Sequence, residues 1–430
     1  MVKRVLIISP HFPPQNAADM HRVRMSLPYF REFGWEAEVV VVEDKYVDLV
    51  RDPILLNTIP DHIKIHKVRA FSKAVTSKFG LGNIALRSIW FYFLKVNQLL
   101  RTHQFDLIYF STTQFPVCVL GAYWKKRFNV PYVIDMQDPW YSDYYEDKAP
   151  QDRPPKYWFS HRMSKYLEPI AIKNVDGLIS VSENYITILK KRYPVVKDVP
   201  QSTIPFGAYA PDLKIAAEHR SSFGTLLQPG FKNIVYVGRG GADMRDALVV
   251  LFEALKKGLE TMPEQFTLLR CYFIGTSYAP AGMGEETIMP LARAYGVEKY
   301  IVEITDRISY YYTLNTLQQA DALFVPGSND PNYTASKIYP YILMKKPLLA
   351  LFHHCSPALA VLKEYGASFA YSYDETPDLQ AKVVHFFAAV STGTNEPVHY
   401  NEAARRKYDA VNRTEMQCVL FDEVIKMNNG

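Results

Sequence analysis

At 430 residues, the chain is longer than one hydrophobic core sustains, so two domains are expected. Its 48% hydrophobic and 22% charged residues are those of an ordinary globular protein. Lys and Arg outnumber Asp and Glu by 49 to 44, a net charge of +5 that is too weak to argue for nucleic acid and fits an anionic small ligand or a membrane surface equally well.

The opening, MVKRVLIISP, carries an apolar run of five or six residues ended by Pro10, too short for the core of a signal peptide. Nothing downstream approaches the roughly 20 apolar residues of a membrane span, so a cytoplasmic protein, at most peripheral on the inner face of the membrane, is expected. Residues 5–9 read as a buried parallel strand that ends in the loop PHFPPQNAAD, after which Met20, Val23, Leu27 and Phe30 recur at helical spacing. Phe33, Gly34 and Trp35 close that helix, and 37–42 is the next strand. A β-loop-α-β start of this kind opens a doubly wound α/β domain. In 44–70, Val47, Leu49, Ile54 and Leu55 are too scattered to assign an element.

Residues 71–103 interleave Lys73, Lys78, Arg87, Lys95 and Arg101 with Trp90, Phe91, Tyr92, Phe93 and Leu94. The first reading is a core helix with a cationic outer edge. The second is a helix on a membrane surface, whose anionic headgroups attract the charges while the rings enter the interface. Short strands at 106–110, 132–135 and 178–181 then alternate with helical patterns at 117–127 and 156–173, without hairpin turns, which points to one parallel sheet. Residues 203–207 end this half, and the polar stretch 210–230 reads as a linker.

The same grammar restarts with a strand at 233–237, the turn GRGGAD and a helix over 244–258. Strands follow at 267–274, 300–303, 322–325, 348–351 and 368–371, with one or two helices in 400–426. Cys118, Cys271, Cys355 and Cys418 never form C-x-x-C, so neither a zinc site nor a disulfide framework is indicated. His353 and His354 are set aside as a metal pair, because neighbours on a strand point to opposite faces.

The stretch that carries most chemistry is 320–351, ADALFVPGSNDPNYTASKIYPYILMKKPLLAL. A polar loop leaves the C-terminal end of a parallel strand and feeds a helix expected to open near Thr334, the arrangement that binds an anion or nucleotide. Thr334 and Ser336 can cap that helix. Lys337, in the first turn, gains nothing from the helix dipole, so it either meets a phosphate or is a plain solvated charge.

Eight pieces in order resemble the glycosyltransferase family 4-like group of the GT-B fold: SPHFPPQNAADMHRVRMSLPYFREFGWEAEVV, VPYVIDMQDPW, LEPIAIKNVDGLISVSENY, IPFGAY, NIVYVGRG, FIGTSY, LQQADALFVP and SKIYPYILMKKPLLAL. These are retaining nucleotide-sugar enzymes of bacterial cell-surface polysaccharide and glycolipid assembly. The resemblance implies two Rossmann-like domains facing a cleft: an acceptor domain over 1–208, a donor domain over 209–395, and a helical segment 396–430 that returns to the first. It implies a metal-independent hexosyltransferase without cofactor, whose partners are a nucleotide-diphosphate sugar and a glycan or lipid-linked acceptor, with no nucleic acid.

On the donor side the resemblance places Gly238, Arg239, Gly240, Arg245, Asn332, Tyr333, Thr334, Ser336 and Lys337. Arg239 and Lys337 would hold the diphosphate, whose growing negative charge needs a fixed cation, and Gly240 and Gly241 would let the backbone approach it. On the acceptor side stand His11, Ala17, Ala18, Arg22, Asp135 and Asp138. Asp138 either accepts from a sugar hydroxyl and orients the nucleophile, or caps the loop before Pro139 and Trp140. For His11 and Arg22 the first reading is a satisfied surface role, and facing the cleft is the second.

The chain departs from the family at its paired glutamates, replaced by Asn332 and Pro340, at a glycine pair that reads Ala17-Ala18, and at a histidine missing from FSTTQFP. Three other readings stay open, the first of them motivated by these departures. They are a non-catalytic GT-B subunit that binds a partner transferase or a glycan, a GT-B sugar-nucleotide epimerase, and a membrane-surface scaffold built on 71–103.

Overall fold

The structure, a computed structural model, describes residues 2–142, 146, 153, 156–331, 333–394 and 400–429. Seven strands, β1 (Lys3–Ile8), β2 (Trp35–Val42), β3 (Lys64–Val68), β4 (Leu107–Ser111), β5 (Tyr132–Met136), β6 (Gly177–Ser180) and β7 (Gln201–Thr203), form a parallel sheet in the order β3-β2-β1-β4-β5-β6-β7. Six more, β8 (Lys232–Val237), β9 (Leu269–Ile274), β10 (Ile301–Ile304), β11 (Ala322–Pro326), β12 (Leu348–Phe352) and β13 (Phe369–Ser372), form a second parallel sheet in the order β10-β9-β8-β11-β12-β13. LIYFS and ALFVP are buried at every position, as strands covered on both faces must be.

Each sheet reverses its winding once. The chain leaves β1 for β2 and β3 and returns to lay β4 on the other side of β1; it leaves β8 for β9 and β10 and returns as β11. At such switch points a crevice opens at the C-terminal strand ends, the usual ligand position in doubly wound sheets.

The chain forms two compact units, Met1–Phe206 with Ala410–Gly430, and Gly207–Asp409. In the first, the strand period of two sends Leu6 and Ile8 into one core and Val5 and Ile7 into the other. The helix Ala410–Asn429 closes the second of these cores. Its buried Phe421 packs on Trp35 (5.3 Å between ring centroids), Tyr109 (5.0 Å) and Phe30 (6.3 Å). Gln417 donates to the Ser26 hydroxyl at 2.9 Å, and Asp422 accepts from the Trp35 indole at 3.1 Å and pairs with Lys3.

Four sequence expectations change. The stretch 44–70 contains β3, an edge strand whose KIHKV reads as polar because most of it is only partly covered. The stretch 210–230 is not a bare linker: Pro211–Glu218 is a helix, whose Asp212 accepts from the Tyr310 and Tyr311 hydroxyls at 2.8 and 2.7 Å. The first helix stops at Ser26, ahead of Pro28, and Phe30–Phe33 is a separate 3-10 turn ended by left-handed Gly34. Arg87, expected on a cationic outer edge, points inward and donates to the Phe71 and Tyr46 carbonyls at 2.8 and 3.1 Å, groups that have no strand ladder to satisfy them.

The helix Ile84–Thr102 otherwise buries Ile84, Ala85, Tyr92, Val96 and Leu99 in the core and leaves Trp90 and Leu94 about half exposed. Among the described residues, no helix is long and apolar enough to cross a membrane.

Candidate functional site

At the switch point of the second sheet, β8 delivers Gly238 and Arg239 beside the loop that follows β11. A Cβ on Gly238 would stand 2.0 Å from the Lys337 ammonium and 2.7 Å from the Tyr236 hydroxyl, so only glycine lets the lysine reach the strand end. Lys337 donates to the Tyr236 hydroxyl at 2.7 Å, and that hydroxyl donates to the Arg239 carbonyl at 2.9 Å. Among the described residues, Lys337 makes no ion pair with a carboxylate. Desolvation, then the charges of Arg239 and Arg307, push its pKa down to about 7 against a weaker pull from Asp243. Arg307, exposed and 4.7 Å from the Tyr278 ring centroid, has no place in the sequence expectations.

Arg239 is not a free fork. Its two terminal nitrogens donate to the two Asp243 oxygens at 2.8 and 2.6 Å, because the turn Ala242–Met244 brings Asp243 back over it. Burial works to raise the Asp243 pKa, and the Arg239 and Ser328 hydrogen bonds overcome that and hold it low. The Asp243 carbonyl accepts the Asn329 N–H at 2.8 Å, tying the loop after β11 to the same turn. The Tyr333 ring lies beside the guanidinium, 5.6 Å from centroid to carbon.

Other donor-side positions fall differently from expectation. The helix opens at Ile338, not near Thr334, with Lys337 at its N-cap and no side-chain cap bond from Thr334 or Ser336. Pro340 explains the late start: a proline is tolerated in the first turn, where its missing N–H has no partner to lose, and would break a helix begun earlier. The space beside Gly240 is filled by Thr287, whose hydroxyl would lie 2.1 Å from an added Cβ, so this glycine makes room for a side chain and not for a phosphate. Arg245 opens the helix Arg245–Thr261 exposed, without a hydrogen bond or ion pair among the described residues. Asn332 lies outside the described residues. His353 and His354 sit beyond the end of β12, with rings stacked at 4.4 Å, so the opposite-face argument does not apply to them.

At the switch point of the first sheet, Asp19 is the organising residue, and the sequence reading missed it. Its carboxylate lies 3.0 Å from His11 Nδ1 and accepts from the Thr112 hydroxyl at 2.9 Å, the Thr113 N–H at 3.1 Å and the Thr113 hydroxyl at 3.2 Å. Burial works to raise its pKa, but the attraction and hydrogen bond of His11 and the donors of Thr113 and Thr112 leave it lowered. The threonines of FSTTQFP, at the place where family members commonly carry a histidine, are the sequence signal for it. Ala17 is half-buried and Ala18 exposed in the loop just before Asp19.

Asp135 and Arg22 are interior, not open to an acceptor. Arg22 Nε is 2.6 Å from Asp135 Oδ2, and Arg22 Nη2 donates to the Ile204 carbonyl at 2.7 Å. The same carboxylate accepts from Gln137 at 2.8 Å and Ser111 at 3.0 Å. Asp135 alternates on β5 with Ile134 and so faces away from that residue's core; a carboxylate buried there needs a cation, and the first helix supplies it. Asp138, three residues on, is exposed and lines a cavity of about 450 Å³ with Asn83, Thr113, Trp140, Lys156 and Ser160.

Residues 27–207 match the family model Glycosyltransferase Family 4. No curated protein matches the sequence. Among solved structures, the N-terminal domain of trehalose-6-phosphate phosphatase from Candida albicans superposes with a TM-score of 0.61 at 12% identity, covering 99% of this chain and 97% of that one. HepE of Anabaena, in complex with UDP, gives 0.57 at 14% identity over 98% and 100% of the two chains. A UDP-forming α,α-trehalose-phosphate synthase from Burkholderia xenovorans, in complex with glucose-6-phosphate, gives 0.58 at 13% over 99% and 100%. The fold is GT-B, that of glycosyltransferases, over the whole chain, and the family resemblance read from the sequence is matched in its N-terminal half.

Proposed function

We propose that the protein is a GT-B glycosyltransferase that moves a sugar from a nucleotide diphosphate to a lipid-linked or glycan acceptor, with retention of configuration, in cell-surface polysaccharide assembly at the inner face of a membrane. The observation that carries the donor half is Lys337, brought to the end of β8 against Gly238 and the Tyr236 hydroxyl at a switch point, within the field of Arg239 and Arg307 and without a carboxylate of its own among the described residues. An anion at this position gives Lys337 the counter-charge it lacks. HepE has been captured with UDP and with UDP-glucose, and the synthase is named UDP-forming, so UDP sugars are the first donors to try.

As the bond from sugar to phosphate breaks, negative charge collects on the leaving diphosphate, and fixed cations stabilise that charge more than they stabilise the ground state. Lys337 is one. Arg239 is the other, after exchanging Asp243 for phosphate oxygens, since the same planar fork fits carboxylate and phosphate alike. Side chains thus supply the positive charge the reaction needs, and no metal is assigned a step. On the acceptor side the cavity beside Asp138 takes the sugar hydroxyl that attacks. Phe79 and Trp158, 73% and 72% exposed, are the sequence neighbours of the cavity residues Gly80 and Phe159, and exposed apolar side chains next to them in the chain favour a lipid-linked acceptor over a free glycan.

The test is release of UDP from UDP-glucose and related sugars with lipid-linked or oligosaccharide acceptors, for the wild type and Lys337→Met. Acceptor-dependent release that falls by about 100-fold or more in the variant, with its fold intact, supports the assignment. Release that ignores Lys337 refutes the site. UDP binding without turnover on any acceptor supports the non-catalytic subunit instead, and release of UDP with an altered free sugar supports the epimerase.

A further inference from the structure

Beyond β12 the chain reads His353-His354-Cys355, and one ligand atom from each of the three lies within 4.8 Å of the others. Asp374, in the turn after β13, faces both rings: its Oδ2 is 2.6 Å from His354 Nδ1 and 3.4 Å from His353 Nε2. Its Oδ1 accepts the His354 N–H at 3.0 Å and the Ser372 hydroxyl at 2.6 Å, which fixes the carboxylate in place. A carboxylate on one nitrogen of a histidine is the second partner that metal-binding imidazoles commonly have; it sets the tautomer and turns the opposite nitrogen outward as a lone pair. Here the opposite nitrogens are His353 Nδ1 and His354 Nε2. Glu375 Oε1 stands 3.5 Å from His354 Nε2.

We propose that His353, His354 and Cys355, with Glu375 as fourth ligand, form a site for a borderline-soft divalent cation of the zinc class, oriented by Asp374. Two imidazoles, a thiolate and a carboxylate are a ligand set zinc accepts. Zinc bonds of about 2.0–2.3 Å hold tetrahedral ligand atoms about 3.3–3.8 Å apart, so the side chains, now within 4.8 Å of one another at His353, His354 and Cys355, draw together on binding. All three residues are at least partly exposed, so a cation can enter. Binding replaces the 3.1 Å contact of the Cys355 N–H with His353 Nδ1, and the thiol gives up its proton.

The site lies behind the donor edge. Ser356 follows Cys355, caps the helix Pro357–Tyr365 and donates to the Tyr333 carbonyl at 3.0 Å, while the Tyr333 ring lies beside Arg239. A bound cation therefore fastens the loop that supports Tyr333. This inference does not depend on the transfer reaction.

Cobalt(II) reports on it, because a tetrahedral thiolate site gives intense ligand-field bands and a thiolate-to-cobalt charge-transfer band. Cys118, Cys271 and Cys418 are buried, so such a band comes from Cys355. Protein stripped with chelator is titrated with cobalt chloride and then with zinc chloride, for the wild type, Cys355→Ser, His354→Ala and Asp374→Asn, with circular dichroism as the check on folding. The expected result is one cobalt per chain with a thiolate band, displaced by zinc, absent in folded Cys355→Ser and His354→Ala, and with affinity lowered about 10- to 100-fold in Asp374→Asn. A wild type without a thiolate band, or a band that survives Cys355→Ser, overturns the proposal.

Discussion

Lys337 makes the donor edge sensitive to pH, and the sign follows from its neighbours. Its pKa of about 7 lies below the ordinary 10.5, so between those values the unfolded chain holds a proton that the folded chain has released. Stability from this group therefore rises with pH across that window, and is at its lowest below pH 7 where the crowded ammonium is fully charged. A diphosphate reverses the balance by giving the ammonium its missing counter-charge. Binding of UDP at about pH 8 is expected to take up a proton, seen by calorimetry in buffers of different ionisation enthalpy, and Lys337→Met is expected to abolish the uptake. Binding with no proton uptake would mean that Lys337 does not touch the phosphates.

At this scale the sequence was partly legible. GRGG at a strand end and a lysine after a polar loop pointed to the right place, because glycine and cation types advertise a close approach. Partner choice was not legible. The Arg239 fork closes on Asp243 through a turn that no residue pattern announces, and Arg22 meets Asp135 only because the sheet brings distant segments together.

The elements obey simpler rules. Strands buried on both faces are continuous apolar runs, so β1, β4, β5, β8, β9, β11 and β12 stand out in the sequence, while β3 and β7, at the sheet edge with polar composition, do not. The helix after β11 opens at Ile338 and not near Thr334, because Pro340 constrains its start more than the capping side chains Thr334 and Ser336 favour an earlier one. The last helix buries Cys418, Leu420, Phe421 and Val424 in the same core, and Phe421 makes its ring contacts. Phe421→Ala empties the space among Trp35, Tyr109 and Phe30 and is expected to cost about 3–5 kcal/mol in urea unfolding, with donor binding at the other unit unchanged while the fold persists. A loss below about 1 kcal/mol would show that the helix is anchored elsewhere, through Gln417 or Asp422.

In the whole molecule, two doubly wound sheets present two switch points of different character. The second sets Lys337 beside the Arg239–Asp243 pair, with the charge of Arg307 also felt at the lysine. The first satisfies its buried carboxylates internally, Asp19 through His11 Nδ1, Thr112 and Thr113 and Asp135 through Arg22, and places the exposed Asp138 on the lining of a cavity of about 450 Å³. That contrast suits an anionic donor on one unit and a hydroxyl-bearing acceptor on the other. The GT-B order of motifs was legible because each motif marks the C-terminal end of a parallel strand, where the fold keeps its chemistry; the cavity proposed for the acceptor was not, since it is assembled from separate segments between residues 77 and 164.

The most direct test of the donor site is thermal unfolding of the wild type and Lys337→Met with UDP, GDP, ADP, TDP and CMP. A nucleotide that binds only the folded protein stabilises it by mass action, about 2.7 kcal/mol at a hundredfold excess over Kd. The expected result is a raised midpoint with one diphosphate, UDP first, that disappears in Lys337→Met. Absence of any shift in the wild type, or an equal shift in the variant, would contradict a diphosphate site at Lys337.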